Sequence, residues 1–140
     1  MIFILTTIII SIGLGLLLSY IAFDELEELK NRLFYCKKLV ILLIILFIIY
    51  NLLIIKKIML IPLVILFLTS FFLEVKGKLL NKGIKYELIY YIISIISYFI
   101  IKNNNLTNSQ ILLVLILIYG IFIGSILHLK FLHQVDKRNI

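Results

Sequence analysis

Leu39 to Pro62 reads LVILLIILFIIYNLLIIKKIMLIP, and the number of times the chain crosses a membrane depends on how it is read. Two apolar runs meet there with only Lys56 and Lys57 between them. If the lysines mark a turn, the segment is a pair of antiparallel spans. If one helix runs through them, it is a single kinked span, and every later segment changes sides. Asn51 can end the first run. Pro62 can open the second, because the first helical turn leaves its N–H groups unbonded and proline has none to waste. The expected turn is about 52–61, with the next helix starting near Pro62, so that 39–75 forms a two-span hairpin.

The same pattern extends outward in both directions. Apolar runs cover roughly 2–23, 39–55, 58–73, 88–101 and 111–127, and none of the 14 basic and 7 acidic residues falls inside them. The 140 residues are 64% hydrophobic, with mean hydropathy +1.22. A soluble domain is about half apolar and has polar surface enough to cover itself; this chain does not. A helix crosses the roughly 30 Å hydrocarbon layer in about 20 residues, and lysines at the ends of shorter runs can snorkel to the head groups. The expected fold is all-α, a single membrane-embedded helical bundle over 1–140. Its five spans are about 2–23, 39–55, 58–75, 86–101 and 111–129. The first run has no basic residue before it and no small-x-small site at its end, so it reads as a retained span rather than a cleaved signal.

Numbering the connecting segments alternately separates the cations. Lys30, Arg32, Lys37, Lys38, Lys76, Lys78, Lys82, Lys85, Lys130, Lys137 and Arg138 fall on one side, and Lys56, Lys57 and Lys102 on the other, eleven against three. Loops rich in lysine and arginine stay in the cytoplasm. The expected location is the cell membrane, with the N-terminus outside and the C-terminus inside. The net charge of +7 sits beside apolar spans, which points to anionic lipid head groups rather than nucleic acid. Lys76, Lys78, Lys82 and Lys85 are the head-group candidates. Cys36 is the only cysteine, so no disulfide forms within the chain.

In 24–38, Leu26, Leu29, Leu33 and Phe34 fall at helical spacing. Four acids precede the bases, the order a helix dipole favours. This predicts a short amphipathic juxtamembrane helix at 24–35. The stretch Glu-Leu-Glu-Glu-Leu-Lys from Glu25, then Phe34-Tyr35-Cys36-Lys37-Lys38 opening an apolar span, resembles small multipass membrane proteins of archaea. The resemblance implies no activity and no site residue.

Small residues recur every four positions in the first span, at Thr7, Ser11, Gly15 and Ser19, and Gly120 and Gly124 repeat the spacing in the last. Small residues let helix backbones approach closely in lipid, so these six are the helix-packing candidates; a pore lining is the functional alternative. Glu87, Tyr90, Tyr91, Ser94, Ser97 and Tyr98 share a face of the fourth span. Such a ladder could carry protons or hold a polar head group, but interfacial tyrosines and self-bonded serines explain it as well. Asp24, Glu25, Glu27 and Glu28 read as an acidic helix start. His128 and His133 lie about 140° apart on a helix and make no metal pair. Asn105-Leu106-Thr107 matches a glycosylation acceptor, which an asparagine-rich loop also produces by chance.

No ionisable residue sits in the middle of any run, where coupled transporters and intramembrane metalloenzymes keep theirs. A serine enzyme would need a base near Ser11, Ser19, Ser70, Ser94 or Ser97, and the sequence offers none. The expectation is a structural or accessory membrane subunit with no catalytic residue, metal or cofactor, in a homo-oligomer or larger complex. The alternatives are a small oligomeric transporter or channel, and a lipid head-group-modifying enzyme using Glu87.

Overall fold

A computed structural model describes residues 2–76 and 83–138, and every regular element among them is helical. In chain order these are α1 (Ile2–Ile21), α2 (Phe23–Glu28), α3 (Lys30–Ile55), α4 (Leu60–Lys76), α5 (Gly83–Lys102) and α6 (Leu106–Arg138). Ile2–Ile21, Asn31–Ile55 and Leu106–Leu129 are long and apolar enough to cross a membrane, so the protein is a membrane protein. α4, at 17 residues, and α5, with Lys85 and Glu87 near its start, do not meet that measure.

The juxtamembrane segment differs from expectation. α2 covers only six residues, and the second half of the expected helix belongs to α3. No glycine, proline or capping residue lies between Phe34 and Leu39, so once α3 has nucleated it propagates into the apolar run. The joints are shallow. Ala22 N–H still bonds Leu18 O at 3.0 Å, and Leu33 N–H bonds Leu29 O at 2.9 Å. As a result Lys37, two residues beyond the end of the helix expected at 24–35, is a buried helical residue with its Nζ 5.9 Å from the centre of the Phe34 ring.

The turn at the double lysine is tighter than expected. α3 runs on to Ile55, and the chain reverses over 56–59. Lys56 takes a left-handed backbone, φ 52°, an uncommon place for a residue with a Cβ. Its N–H bonds Leu52 O at 2.9 Å, and Leu60 N–H bonds Lys57 O at 3.0 Å. Pro62 occupies the first turn of α4, where no backbone donor is lost. Asn51 does not end α3. It is fully buried within the helix, donating from Nδ2 to Phe47 O at 2.8 Å and accepting from Asn108 Nδ2 at 2.8 Å. Asn105 caps α6, its Oδ1 accepting the Asn108 N–H at 3.2 Å, which satisfies one of the first-turn donors. That role, and the helical setting of Leu106 and Thr107, account for the residues of the acceptor sequence.

The helices pack as two units, Met1–Val40 with Leu115–Ile140, and Ile41–Val114. All seven serines, Ser11, Ser19, Ser70, Ser94, Ser97, Ser109 and Ser125, are buried. Thr6, Thr69 and Thr107 are exposed and Thr7 is half-buried. In a chain with one alanine, serine and glycine are the small residues on the buried helix faces. The long helices also expose large apolar side chains, Ile9, Leu43, Ile65, Ile92 and Val114 among them, as a lipid solvent permits.

Candidate functional site: the α1–α6 crossing

In the first unit α1 buries Ile4, Ile8, Ser11, Gly15 and Ser19, one ridge at three- and four-residue spacing. On α6 the buried set includes Gly120, Ile123, Gly124 and Ser125. The ridges meet at glycine. A Cβ at Gly15 would strike the Ile121 backbone, and one at Gly124 would strike Ile12 O and the backbone of Gly15 and Leu16. Ser125 Oγ–H donates to Gly15 O at 3.1 Å and to Ile121 O at 3.0 Å. Four residues beyond Gly15, Ser19 Oγ lies 2.7 Å from His128 Nδ1. Contact advances the same way along both helices, so α1 and α6 run parallel here. Of the other packing candidates, Gly120 is buried, Ser11 bonds its own Ile8 O at 2.7 Å, and Thr7 is half-buried with its hydroxyl on Ile4 O at 2.7 Å.

The Ser19–His128 contact corrects the sequence reading, which found no base near any serine. The two residues stand 109 apart in the chain, and only the helix crossing joins them. The hydroxyl and imidazole have the connectivity of a nucleophile and its base. The surroundings do not suit that chemistry. Ser19 is fully buried, and the amides of α1 around it are bonded within the helix, leaving none to stabilise an oxyanion. The groove of about 420 Å³ along α1, lined by Leu14, Leu17, Leu18, Ile21, Ala22 and Ile121, does not include Ser19. The pair acts as a polar clasp, with the Tyr20 ring set edge-on to His128 at 6.4 Å. Hydrogen bonds between membrane helices contribute about 0.6 kcal/mol on average and about 1.7 at most. Ser19→Ala is therefore expected to lower stability within that range. A double-mutant cycle with His128→Phe should recover a coupling of the same size, and no coupling would show that the contact contributes nothing.

In the second unit α4 and α5 pack through aromatic and polar groups. Tyr90 stacks on Phe67 with ring centroids 5.0 Å apart, and its hydroxyl donates to Glu74 Oε2 at 2.6 Å. The sequence reading paired Glu87 with this face but not Glu74. Glu87 is half-buried, whereas Tyr90, Tyr91, Ser94, Ser97 and Tyr98 are all buried. Tyr90, Tyr91 and Tyr98 are buried in the packed core.

The remaining candidates do not assemble into a site. Lys76 is exposed at the end of α4, and Lys85 lies in the first turn of α5; Lys78 and Lys82 fall outside the described residues. Asp24, Glu25 and Glu28 are exposed, and no group of three metal-ligating side chains occurs among the described residues. Cys36 is a half-buried free thiol. Comparison with known proteins finds no family model, no curated protein and no solved structure that matches this chain.

Proposed function

We propose that the protein is a five-span integral membrane subunit with a structural or accessory role, residing in the cell membrane with its N-terminus outside and its C-terminus in the cytoplasm. The observation that carries this reading is the α1–α6 crossing. Its small residues, the ones a pore would need as lining, are spent on backbone contact, and its one serine–histidine pair is closed to substrate. The parallel approach of the two helices supports the span count. With four reversals between them, five spans leave the first and last parallel, whereas treating 39–75 as one span leaves them antiparallel. The lysines at 76, 78, 82 and 85 bind anionic head groups on the cytoplasmic side, at about 1 kcal/mol for each cation near the surface. The partner is a second copy or another membrane subunit, and nucleic acid has no place in this reading.

Two experiments test it. With Cys36 replaced, single cysteines at 57, 80 and 105 should label from outside, from inside and from outside. Labelling of 57 and 80 from the same side would remove the hairpin and the orientation with it. Extraction in mild detergent followed by native mass spectrometry should recover an oligomer or a complex. A particle that stays monomeric and partner-free at membrane-like protein-to-lipid ratios would count against the accessory role.

A further inference from the structure

The groove along α1 opens sideways. Its volume is about 420 Å³, Ile121 of α6 faces the α1 residues across it, and every lining side chain is apolar. Leu14, Leu17, Leu18 and Ile21 are each about half exposed or more, so it is a trough along the lipid-facing surface and not a closed cavity. α1 has 20 residues, which at about 1.5 Å each match the roughly 30 Å hydrocarbon layer. Leu14 to Ala22 takes up about the last 12 Å of that rise. The trough therefore follows most of one leaflet and ends at Ala22, where the chain reaches the level of the head groups.

The line of the trough continues past Ala22. Leu14, Leu18, Ile21, Glu25 and Glu28 recur at alternating four- and three-residue intervals, the spacing of one helix face. The joint between α1 and α2 is shallow enough for Ala22 N–H to bond Leu18 O at 3.0 Å. Glu25 and Glu28 are exposed, as is Asp24. In a chain of net charge +7, four of the seven acidic residues lie within 24–28, and the basic residues begin only at Lys30. The apolar trough thus ends at carboxylates. Any acyl chain fits the trough, since an apolar hollow stays dry and gains contacts when atoms fill it. The carboxylates select the head group. They repel a lipid of net negative charge and attract an amine. A primary ammonium donates charge-assisted hydrogen bonds to a carboxylate, whereas a quaternary ammonium has no N–H to donate.

We propose that this face of α1 and α2 binds a phospholipid with a primary-ammonium head group, one acyl chain lying in the trough beside Ile121 and the ammonium on Glu25 and Glu28. The site is opposite in sign to the lysines at 76, 78, 82 and 85, to which anionic head groups are assigned above. Chain and head group have separate roles in it: the trough supplies contact that any phospholipid can use, and the carboxylates supply the preference. The site goes beyond the accessory role. It holds whichever side of the membrane α2 faces, and whether the protein acts alone or in a complex.

The test is native mass spectrometry of the full-length protein in mild detergent, supplied with equal amounts of phosphatidylethanolamine and phosphatidylcholine of identical chains. Both lipids are net neutral, so the lysines elsewhere do not sort them. The wild type is expected to retain phosphatidylethanolamine severalfold over phosphatidylcholine. Glu25→Gln/Glu28→Gln should retain the two equally, because the trough is intact and the preference is gone. Leu18→Trp fills the trough from the lipid side without entering the core, and it should lose most of the retained phosphatidylethanolamine. If that variant does not fold, Ile21→Trp, at a position 74% exposed, reads the same loss. Equal retention of the two lipids by the wild type would overturn the site. So would an unchanged preference in the folded double carboxamide variant, or undiminished retention in the folded tryptophan variant.

Discussion

Gly15→Ala and Gly124→Ala each lower the midpoint of thermal unfolding in detergent by several degrees, while Gly13→Ala, two residues from Gly15, leaves it unchanged or raises it. The difference follows from what each new methyl would meet. At Gly15 and Gly124 it meets backbone of the opposite helix, and at Gly13 it meets nothing within 4 Å. A side chain can rotate away from an added methyl, but a helix backbone can yield only by moving the whole helix. Overpacking costs about 1–3 kcal/mol when side chains can adjust, and the two crossing glycines belong at or above the top of that range. Separation of the helices would also break the Ser125 bond to Gly15 O. The Gly15→Ala/Gly124→Ala double variant should cost less than the sum of the singles, since the first methyl has already opened the contact. At Gly13 alanine gains about 1 kcal/mol in helix propensity. Fluorescence-detected size-exclusion after heating reads all four proteins, and equal loss in Gly13→Ala and Gly15→Ala would mean that the crossing does not hold α1.

Tyr90→Ala destabilises the protein by about 3–5 kcal/mol, the range for deleting a buried aromatic, and Tyr90→Phe costs less than about 1.7 kcal/mol, the upper range for a hydrogen bond in a membrane interior. The contrast separates two roles of one side chain. The ring stacks on Phe67 between α4 and α5, and its removal leaves a cavity. In lipid the hydrophobic gain from burial is small, because acyl chains are as apolar as leucine. What is lost is packing contact, which lipid cannot restore inside a closed helix pair. The hydroxyl contributes only its bond to Glu74. If Tyr90→Phe is as damaging as Tyr90→Ala, the Glu74 bond and not the stack holds α4 to α5.

Much of this architecture was legible in the chain, and the missed parts share a cause. Apolar length and the exclusion of charge from the runs identify helices in a membrane. The four-residue recurrence of small residues from Thr7 to Ser19, and of Gly120 and Gly124, marks surfaces suited to close approach. What the recurrence does not encode is which surface meets which, so the Ser19–His128 pair and the link from Glu74 to Tyr90 were invisible. Local errors had a different origin. Lys56 adopts a backbone normally left to glycine or asparagine, so its identity did not narrow the expected turn at 52–61 to the four residues 56–59, and Asn51 looked like a helix end because its partner, Asn108, is far away in the chain. The end of the helix expected at 24–35 rested on the change in polarity along the chain, but polarity alone does not stop a helix.

The pairing of α1 with α6 sets a timetable for biogenesis. His128 leaves the ribosome 109 residues after Ser19, which at about 5–20 residues per second is roughly 5–20 s. Throughout that interval the glycine ridge of α1 has no docking surface from its own chain, and any helix already in the bilayer can occupy it. The release of α6 ends this competition, so the speed of translation through 20–128 helps decide whether α1 settles against its own chain or against a stranger.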